Sequence, residues 1–244
     1  MKREFLRPES LKNVEMRYCA GCGHGIVHRL LAEVIDELGI REITIGIAPV
    51  GCAVFAYDYW NFDVSEAAHG RPPAVATGLK RVLPDRIVFT YQGDGDLASI
   101  GTAEIIHAAN RSENITVIFI NNAVYGMTGG QMAPTTLKDQ QTLTTPFGRD
   151  VEISGFPIKI SEALGCLEGS RYIERTAVNN VKNVNGTKRA IKKAFQTQMD
   201  GKGFSLVEVL SMCPVAWRVT PEESLKWVGE KMVEEFPLGV ICDR

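Results

Sequence analysis

Residues 93–122 read GDGDLASIGTAEIIHAANRSENITVIFINN, and this stretch decides the fold. The apolar run RIVFTY precedes it, and a second apolar run, ITVIFI, ends just before the Asn121–Asn122 pair. Two short apolar runs separated by a helix-like segment predict one β-α-β unit. The parallel strands of such a unit end at the same edge of the sheet, so the acidic GDGD turn and the asparagine pair are predicted to lie side by side.

The residues at this predicted edge suit a divalent cation that holds a diphosphate. A carboxylate oxygen of Asp94, an amide oxygen of Asn122 and a backbone carbonyl just after it are the hard ligands that Mg²⁺ takes beside substrate phosphates. Gly93 and Gly95 have no Cβ, so a phosphate can approach their backbone. For an isolated GDG triplet, an ordinary turn followed by an unrelated asparagine pair would be the better explanation. The flanking strands and the intervening helix favour the cation site.

The GDG and NN pair, one β-α-β unit apart, resembles the thiamine-diphosphate-binding motif. The continuation NNAVYGMTGGQMAPTT resembles the β subunit of 2-oxoacid:ferredoxin oxidoreductases, most closely the branched-chain 2-oxoisovalerate type. The resemblance extends from about residue 17 to residue 217 and implies Mg²⁺ ligation by Asp94, Asn122 and the carbonyl of Val124. It also implies that the cofactor is contacted by His69, Gly93, Gly95, Asp96, Met127 and Thr128.

Composition is that of an ordinary globular protein. The chain has 244 residues, 45% of them hydrophobic, and a net charge of −2, which gives no indication of nucleic-acid or membrane-surface binding. No apolar run approaches the roughly 18 residues of a membrane span. The start, MKREFLRPESLKN, lacks the apolar segment of a signal peptide, so a cytoplasmic location is expected.

Hydrophobic periodicity predicts alternating strands and helices. Strands are predicted at 42–48, 86–91, 115–120 and 204–210, and helices at 25–38, 73–83, 100–110, 188–199 and 221–235. This alternation predicts an α/β fold, with a mainly parallel sheet and helices on both faces. We expect a single thiamine diphosphate-binding domain over residues 1–244, with an N-terminal cluster-binding segment and a C-terminal helical extension. The aperiodic stretch 127–172 is expected to form loops over the cofactor and at a subunit interface.

Four of the six cysteines are predicted to meet at the same edge of the sheet. Cys19 and Cys22 form a CxxC before the first helix, Cys52 follows the first strand and Cys213 follows the last. Zinc and an iron–sulfur cluster both accept four thiolates, and the spacing by itself favours zinc. The segments YCAGCGHG, GCAVF and CPVAW resemble the cluster-binding segments of the same family, which implies a 4Fe–4S cluster near the thiamine. Cys166 and Cys242 match no family motif, so a buried or surface thiol without a further role is expected.

Four other side chains at or near the predicted site need a separate interpretation. His69, just before a proline-initiated helix, is expected to meet a diphosphate oxygen, the alternative being a turn histidine bonded to backbone. Asp96 either contacts the cofactor or caps the following helix, and the cap is slightly favoured. Phe55 and Met127 lie, by the resemblance, near the reactive thiazolium carbon. Relatives with a broad substrate range carry a basic residue at the position of Phe55, so an apolar ring there predicts a branched aliphatic substrate, unless Phe55 only packs.

The resemblance implies CoA-dependent oxidative decarboxylation of a 2-oxoacid, with thiamine diphosphate, Mg²⁺ and a 4Fe–4S cluster as cofactors and ferredoxin as electron acceptor. In this superfamily the glutamate that activates thiamine comes from a pyrimidine domain, which this sequence lacks, so an α subunit is the expected partner, with γ and δ subunits as further candidates. The alternatives are the same chemistry on 2-oxoglutarate or pyruvate, a non-redox thiamine-dependent decarboxylase or carboligase, and a scaffold that has lost the thiamine site. The four cysteines argue against the non-redox enzyme, and Asp94 with Asn122 argues against the scaffold.

Overall fold

A seven-stranded sheet organises the protein, in the order β2-β1-β3-β4-β6-β5-β7. The structure is a computed structural model that describes residues 6–244. The strands are β1 Thr44–Ala48, β2 Asp63–Glu66, β3 Ile87–Gly93, β4 Thr116–Asn121, β5 Ser170–Ala177, β6 Phe204–Leu210 and β7 Gly239–Asp243. All neighbouring pairs are parallel except β5 with β7. The predicted α/β class with a mainly parallel sheet is therefore confirmed.

Helices cover both faces of this sheet. They are α1 His24–Leu38, α2 Ala56–Tyr59, α3 Pro72–Val82, α4 Thr102–Asn110, α5 Val151–Ser154, α6 Ile160–Gly165, α7 Val181–Met199, α8 Pro214–Trp217, α9 Pro221–Trp227 and α10 Val233–Glu235. Short 3₁₀ turns span Arg41–Ile43 and Cys52–Phe55, and π-helical turns span Asp96–Ile100 and Val228–Met232. Side chains alternate across each strand. Phe89 and Tyr91 therefore pack with α1 and α7, while Val88 packs with α3, α4 and α6.

The carboxyl ends of β1, β3, β4 and β6 form one continuous edge, because these four strands are parallel neighbours. Gly93 pairs with Ile120, so β3 and β4 end at nearly the same level. The segments that leave this edge carry Cys52, Asp94, Asn122 and Cys213, in the order of the strands across the sheet. The side-by-side arrangement predicted for the acidic turn and the asparagine pair is what the structure has.

The structure differs from the sequence-based elements mainly at polar strands and helix ends. Strands β2 and β7 are edge strands with largely exposed side chains, and the buried strand β5 carries charged residues, so none of the three has a clear apolar pattern. Helix α7 begins two turns earlier than predicted, where the side chain of Asn180 accepts a hydrogen bond from the Asn183 N–H (2.9 Å).

The C-terminal part of the chain and the loop stretch 127–172 also differ from the expectation. The C-terminal extension is not wholly helical, because after α10 the chain adds β7 to the sheet, antiparallel to β5. The loop stretch 127–172 includes two short helices, α5 and α6, and the start of β5. No helix among residues 6–244 is long and apolar enough to cross a membrane. The prediction that the N-terminus is no signal peptide falls partly on residues 1–5, which lie outside the described residues.

Candidate functional site

A cavity of about 220 Å³ opens at the carboxyl edge of the sheet, and we call it the Asp94 cavity. All nine residues predicted to contact the cofactor or its metal line it: His69, Gly93, Asp94, Gly95, Asp96, Asn122, Val124, Met127 and Thr128. The cavity is also lined by Cys52, which was predicted as a cluster ligand, and by residues without a predicted cofactor contact, which are His24, Val50, Gly51, Ala53, Tyr125 and Gly126. Five segments separated in the chain thus supply one site, as expected for the edge of an open α/β sheet.

The carboxylate of Asp94 lies at the bottom of this cavity, 3% exposed. It accepts hydrogen bonds from the Thr135 hydroxyl (2.7 Å), from the Gly95 N–H (2.8 Å) and from the backbone of Asn122 and Ala123. All these donors are neutral, and no ion pair to Asp94 occurs within residues 6–244. Burial therefore raises its pKa to about 6, despite the hydrogen bonds that act the other way. A bound divalent cation would restore the charged form.

The turn after β4 leaves one backbone carbonyl free. The carbonyls of Asn121, Asn122 and Ala123 accept hydrogen bonds from the Ser211 N–H (2.9 Å), the Trp217 indole N–H (3.0 Å) and the Thr136 hydroxyl (2.7 Å), respectively. The carbonyl of Val124 has no donor among the described residues, although Val124 is only 1% exposed. A buried acceptor without a partner is costly, so this free carbonyl fits a metal ligand, as do the neighbouring Asn122 amide and Asp94 carboxylate.

Gly93 and Gly95 have different reasons to be glycine. A Cβ on Gly93 would have no atom of the protein within 4 Å, which leaves open space above its backbone. A Cβ on Gly95 would lie 2.1 Å from Cε1 of Tyr125, whose ring packs directly on this backbone. The space over Gly93 agrees with the close approach of a phosphate. At Gly95, packing against Tyr125 is a reason for glycine that adds to the expected approach of a phosphate.

Asp96 holds His69 in place and does not cap a helix. Its Oδ1 lies 2.6 Å from Nδ1 of His69 and accepts the Gly70 N–H (2.9 Å), and its Oδ2 accepts a hydrogen bond from Gln92 (2.6 Å). The π-helical turn that starts at Asp96 has no side-chain cap, so the slightly favoured cap role is wrong. A carboxylate that receives Nδ1–H fixes the ring orientation and leaves Nε2 as the other functional nitrogen.

A second cavity, of about 130 Å³, adjoins the first, and we call it the cysteine cavity. Cys19, Cys22, Cys52 and Cys213 all line it. Burial, with a contribution from the neighbouring thiols, raises the pKa of Cys22 and Cys213 to about 12 and that of Cys52 to about 11. Within residues 6–244, no three His, Cys, Asp or Glu side chains are arranged to hold a metal ion. The four thiols thus border one shared cavity.

Gly126 separates the two cavities. A Cβ at this position would lie 3.4 Å from both the Cys52 and the Cys213 sulfur and 3.7 Å from Nδ2 of Asn122. Gly126, Cys52, Asn122 and His24 line both cavities. The two spaces are thus divided by a single stretch of backbone. Cys166 and Cys242 line neither cavity.

Phe55 lies on the cysteine side of this division, whereas Met127 lines the Asp94 cavity. Residues Cys52–Phe55 form a 3₁₀ turn, in which side chains three positions apart point the same way. The Phe55 side chain therefore points in the same direction as that of Cys52. Its ring packs edge-on against Tyr18, with centroids 5.8 Å apart. The expected pair of apolar pocket residues is therefore divided between two adjoining cavities.

Several contributing residues were missed by the sequence analysis. Thr135, Thr136 and Tyr125 all belong to the quoted NNAVYGMTGGQMAPTT segment, and Trp217 ends the quoted CPVAW segment. Their residue types gave no signal of a role, because each acts through a contact with a segment distant in the chain. His24, which lines both cavities, lies 2.6 Å through Nδ1 from the Tyr91 hydroxyl, and burial lowers its pKa to about 4, so its ring is neutral.

A parallel α/β sheet with an aspartate turn and an asparagine turn at adjacent strand ends is the arrangement of a thiamine-diphosphate-binding domain. The family model described as "Thiamine pyrophosphate enzyme, C-terminal TPP binding domain" matches residues 50–209. Ketoisovalerate oxidoreductase subunit VorA of Methanothermobacter thermautotrophicus is 49% identical, over 100% of this chain and 53% of that protein. 2-Oxoglutarate synthase subunit KorB of Methanocaldococcus jannaschii is 37% identical, over 94% of this chain and 82% of that protein.

The chain belongs to the thiamine pyrophosphate enzyme family, within its group of 2-oxoacid oxidoreductase subunits. The resemblance seen in the sequence is thereby confirmed. The chain spans about half the length of the VorA proteins that it matches. A solved 2-oxoglutarate:ferredoxin oxidoreductase from Magnetococcus marinus superposes with a TM-score of 0.80 at 24% identity, covering 100% of this chain and 87% of that one, which shows the shared fold.

The two glycines make a testable contrast. Gly93→Ala should change the free energy of unfolding by less than about 1 kcal/mol, because its Cβ meets open space, yet it should weaken thiamine diphosphate binding at least tenfold. Gly95→Ala should cost about 1–3 kcal/mol of stability by overpacking against Tyr125. Urea unfolding and calorimetric titration measure the two effects. Normal cofactor affinity in Gly93→Ala would show that the cofactor does not occupy this space, and adding Tyr125→Ala to Gly95→Ala should recover stability.

Proposed function

We propose that this chain is the thiamine diphosphate-binding β subunit of a 2-oxoacid:ferredoxin oxidoreductase. In the overall reaction the bond between C1 and C2 of the 2-oxoacid breaks and CO₂ leaves. The acyl carbon forms a thioester with coenzyme A, two electrons pass singly to two oxidised ferredoxins, and one proton is released. The observation that supports this proposal most strongly is that the Asp94 cavity and the cysteine cavity adjoin each other across Gly126.

The Asp94 cavity is proposed to hold thiamine diphosphate and Mg²⁺. Asp94, the Asn122 amide and the free Val124 carbonyl would hold the metal, since they supply one charged and two neutral oxygens. The backbone at Gly93 leaves room for the diphosphate, and His69, oriented by Asp96, lies on the wall of the same cavity. Bound thiamine diphosphate would supply the nucleophile and the electron sink for decarboxylation. The contribution of this chain is to bind and orient it.

The cysteine cavity is proposed to hold a 4Fe–4S cluster on Cys19, Cys22, Cys52 and Cys213. Their raised pKa values mean that, without metal, three of these sulfurs are protonated at neutral pH. Iron binding would release those protons and replace buried thiols by neutralised thiolates. A cluster here would lie one residue, Gly126, away from the cofactor, which suits the transfer of single electrons. A non-redox decarboxylase or carboligase has no use for this second cavity.

The proposed substrate is a branched-chain 2-oxoacid such as 2-oxoisovalerate. Apolar side chains of Val50, Ala53, Val124 and Met127 line the Asp94 cavity, and no lysine or arginine of the described residues does so. Burying a distal carboxylate without a cation costs several kcal/mol, whereas burying a methylene group gains about 0.8 kcal/mol. The name of the VorA relatives, ketoisovalerate oxidoreductase subunits, agrees with this choice. The KorB relatives make 2-oxoglutarate the alternative.

The proposed partners complete the site. The activating glutamate is expected from the pyrimidine domain of an α subunit, and the VorA relatives are about twice as long as this chain. Further γ and δ subunits, ferredoxin and coenzyme A follow from the same proposal. The exposed side chains of Leu143, Phe147, Ile153 and Phe156 lie in the loop stretch 127–172, where a subunit interface was expected.

The metal site is tested at Asp94. Asp94→Ala should abolish Mg²⁺-dependent binding of thiamine diphosphate, and Asp94→Asn should weaken it about a hundredfold, because the only negatively charged ligand among the proposed metal ligands is lost. In the wild type, a proton competes with Mg²⁺ for Asp94, whose pKa is about 6. The Mg²⁺ affinity should thus be constant above pH 7 and fall about tenfold for each pH unit below about 6. Calorimetric titration measures both effects, and unchanged affinity in Asp94→Ala would refute the assignment.

The cluster site is tested by comparing cysteines. Cys52→Ser and Cys213→Ser should lower the iron content and the rate of viologen reduction, because each removes one proposed ligand. Cys166→Ser and Cys242→Ser are matched controls, the first for an exposed thiol and the second for a buried one. Both controls should keep their iron, measured by colorimetric assay and by electron paramagnetic resonance. Equal iron loss in either control would mean that the wrong four cysteines have been chosen.

The overall function is tested by CoA-dependent viologen reduction with 2-oxoisovalerate, pyruvate and 2-oxoglutarate. The assembled enzyme should show the highest kcat/KM with 2-oxoisovalerate, because the cavity is apolar, and this chain alone should show no turnover, because the activating glutamate is absent. Met127→Lys should shift the preference toward 2-oxoglutarate by supplying a cation.

Phe55→Lys is the matched variant at the cysteine cavity. An equal shift there would place Phe55 at the substrate, whereas no shift would mean that Phe55 only packs. A wild-type preference for 2-oxoglutarate would overturn the branched-chain assignment, and turnover by the isolated chain would overturn the need for a partner.

A further inference from the structure

The indole of Trp217 joins the cysteine loop to the turn that carries the proposed metal ligands. Trp217 is the last residue of α8, the short helix that begins directly after Cys213. Its Nε1–H donates a hydrogen bond of 3.0 Å to the carbonyl oxygen of Asn122. Asn122 supplies one proposed ligand, and Val124, two residues on, supplies another. One hydrogen bond therefore connects the two proposed cofactor sites.

This hydrogen bond satisfies a carbonyl that strand pairing leaves free. Pairing of β4 with β6 reaches the Ser211 N–H, which donates to the carbonyl of Asn121 (2.9 Å). The carbonyl of Asn122 accepts no hydrogen bond from a strand among the described residues, and the indole N–H of Trp217 supplies the donor. The carbonyl of Met212, next to Ser211, accepts a hydrogen bond from the Gly23 N–H (3.2 Å), beside the CxxC segment.

The turn depends on such outside donors because its backbone is strained. Ala123 has a φ of 58°, in the left-handed region that is unfavourable for a residue with a Cβ. The turn is held on one side by the Thr136 hydroxyl on the Ala123 carbonyl and on the other by Trp217. Loss of the indole donor would release one side and let the Asn122 and Val124 oxygens move.

The other end of the connection is fixed by Cys213. The backbone N–H of Trp217 donates to the carbonyl of Cys213 (3.0 Å), which closes the turn of α8. The indole packs on Trp227 of α9, with ring centroids 4.3 Å apart. Movement of the Cys213 sulfur, as on loss of a bound group, would be passed through this short helix to the indole.

We propose that Trp217 is a positioning residue that couples occupancy of the cysteine cavity to the affinity of the Asp94 cavity for thiamine diphosphate and Mg²⁺. This inference rests on the proposed function. Filling the cysteine cavity fixes Cys213, which fixes the indole, which holds the Asn122 turn in its ligating shape. Coupling of this kind is reciprocal, so bound thiamine diphosphate also strengthens retention of iron.

Three variants separate the hydrogen bond from packing. Trp217→Phe keeps an aromatic ring against Trp227 but has no donor. In Trp217→His, the five-membered ring overlies the pyrrole half of the indole and can keep an N–H at the same place, while the packing is lost. Trp227→Phe is the control for packing alone, because Trp227 donates no hydrogen bond to this turn among those of residues 6–244.

The experiment measures the dissociation constant of Mg²⁺–thiamine diphosphate by calorimetry in the assembled enzyme, before and after iron is removed by a chelator. Iron removal should weaken binding by the wild type and by Trp227→Phe about tenfold. Trp217→Phe should bind about tenfold more weakly with iron present, and iron removal should have no further effect. Trp217→His should regain the dependence on iron. Thermal unfolding of each variant, recorded by circular dichroism, separates loss of fold from loss of coupling.

The outcomes distinguish this inference from the proposed function. Wild-type affinity and iron dependence in Trp217→Phe would overturn the coupling role and leave the proposed function intact, as would loss of iron dependence in Trp227→Phe. If Trp217→Phe does not fold, a Trp217→His variant that folds but shows no dependence on iron would overturn it equally. A wild-type enzyme that holds no iron or binds no thiamine diphosphate would overturn the proposed function and the inference together.

Discussion

The parallel pairing of β3 with β4 is the constraint on which the rest of the site depends. Because Gly93 lies opposite Ile120, the residues after the two strands emerge at the same level and face one another. Asp94 then accepts hydrogen bonds from the backbone of the turn after β4. A slip of one residue would turn every side chain of a strand to the opposite face and separate these groups. The hydrophobic pattern of two buried strands therefore sets the geometry of a polar site.

A buried ion pair supports this edge from inside the sheet. Glu208 on β6 and Arg175 on β5 are each 1% exposed and are joined by a hydrogen bond of 2.8 Å. The other oxygen of Glu208 accepts a hydrogen bond from the Asn121 side chain (2.8 Å), and Asn121 in turn accepts one from the Ala123 N–H (3.2 Å). Such a pair adds little net stability over well-packed apolar residues, but leaving either partner alone is costly. Its value here lies in fixing the start of the turn that carries the proposed metal ligands.

The long loop after Val124 is ordered by one arginine. Arg149 is 3% exposed and has no hydrogen-bonded carboxylate among the described residues; its guanidinium binds backbone carbonyls instead. The carbonyls that it holds belong to Pro134, Thr136, Ser154, Gly155 and Phe156. Thr135, within this folded loop, is thereby held where its hydroxyl meets Asp94 (2.7 Å). This loop, although its sequence shows no periodicity, thus forms an ordered part of the site.

The sequence was enough to predict the α/β class, the two strands of the GDG unit, nine of the residues that line the Asp94 cavity and the four cysteines of the cysteine cavity. It could do so because these features depend on local patterns: buried parallel strands are continuous apolar runs, and the ligand types are specific to their chemistry. Strands β2, β5 and β7 could not be predicted, because their own sequences are polar and only pairing with neighbouring strands makes them strands.

Four features could be seen only in the tertiary structure. They are the need for glycine at position 95, the hydrogen-bond partners of Asp96, the position of Phe55 relative to Gly126, and the identity of the free carbonyl. Each of these depends on a contact between segments far apart in the chain: Tyr125 on Gly95, His69 on Asp96 and Trp217 on Asn122. Residue type and spacing specify which groups are available, whereas distances between distant segments specify what each group does, and those distances exist only once the sheet has brought its strand ends together.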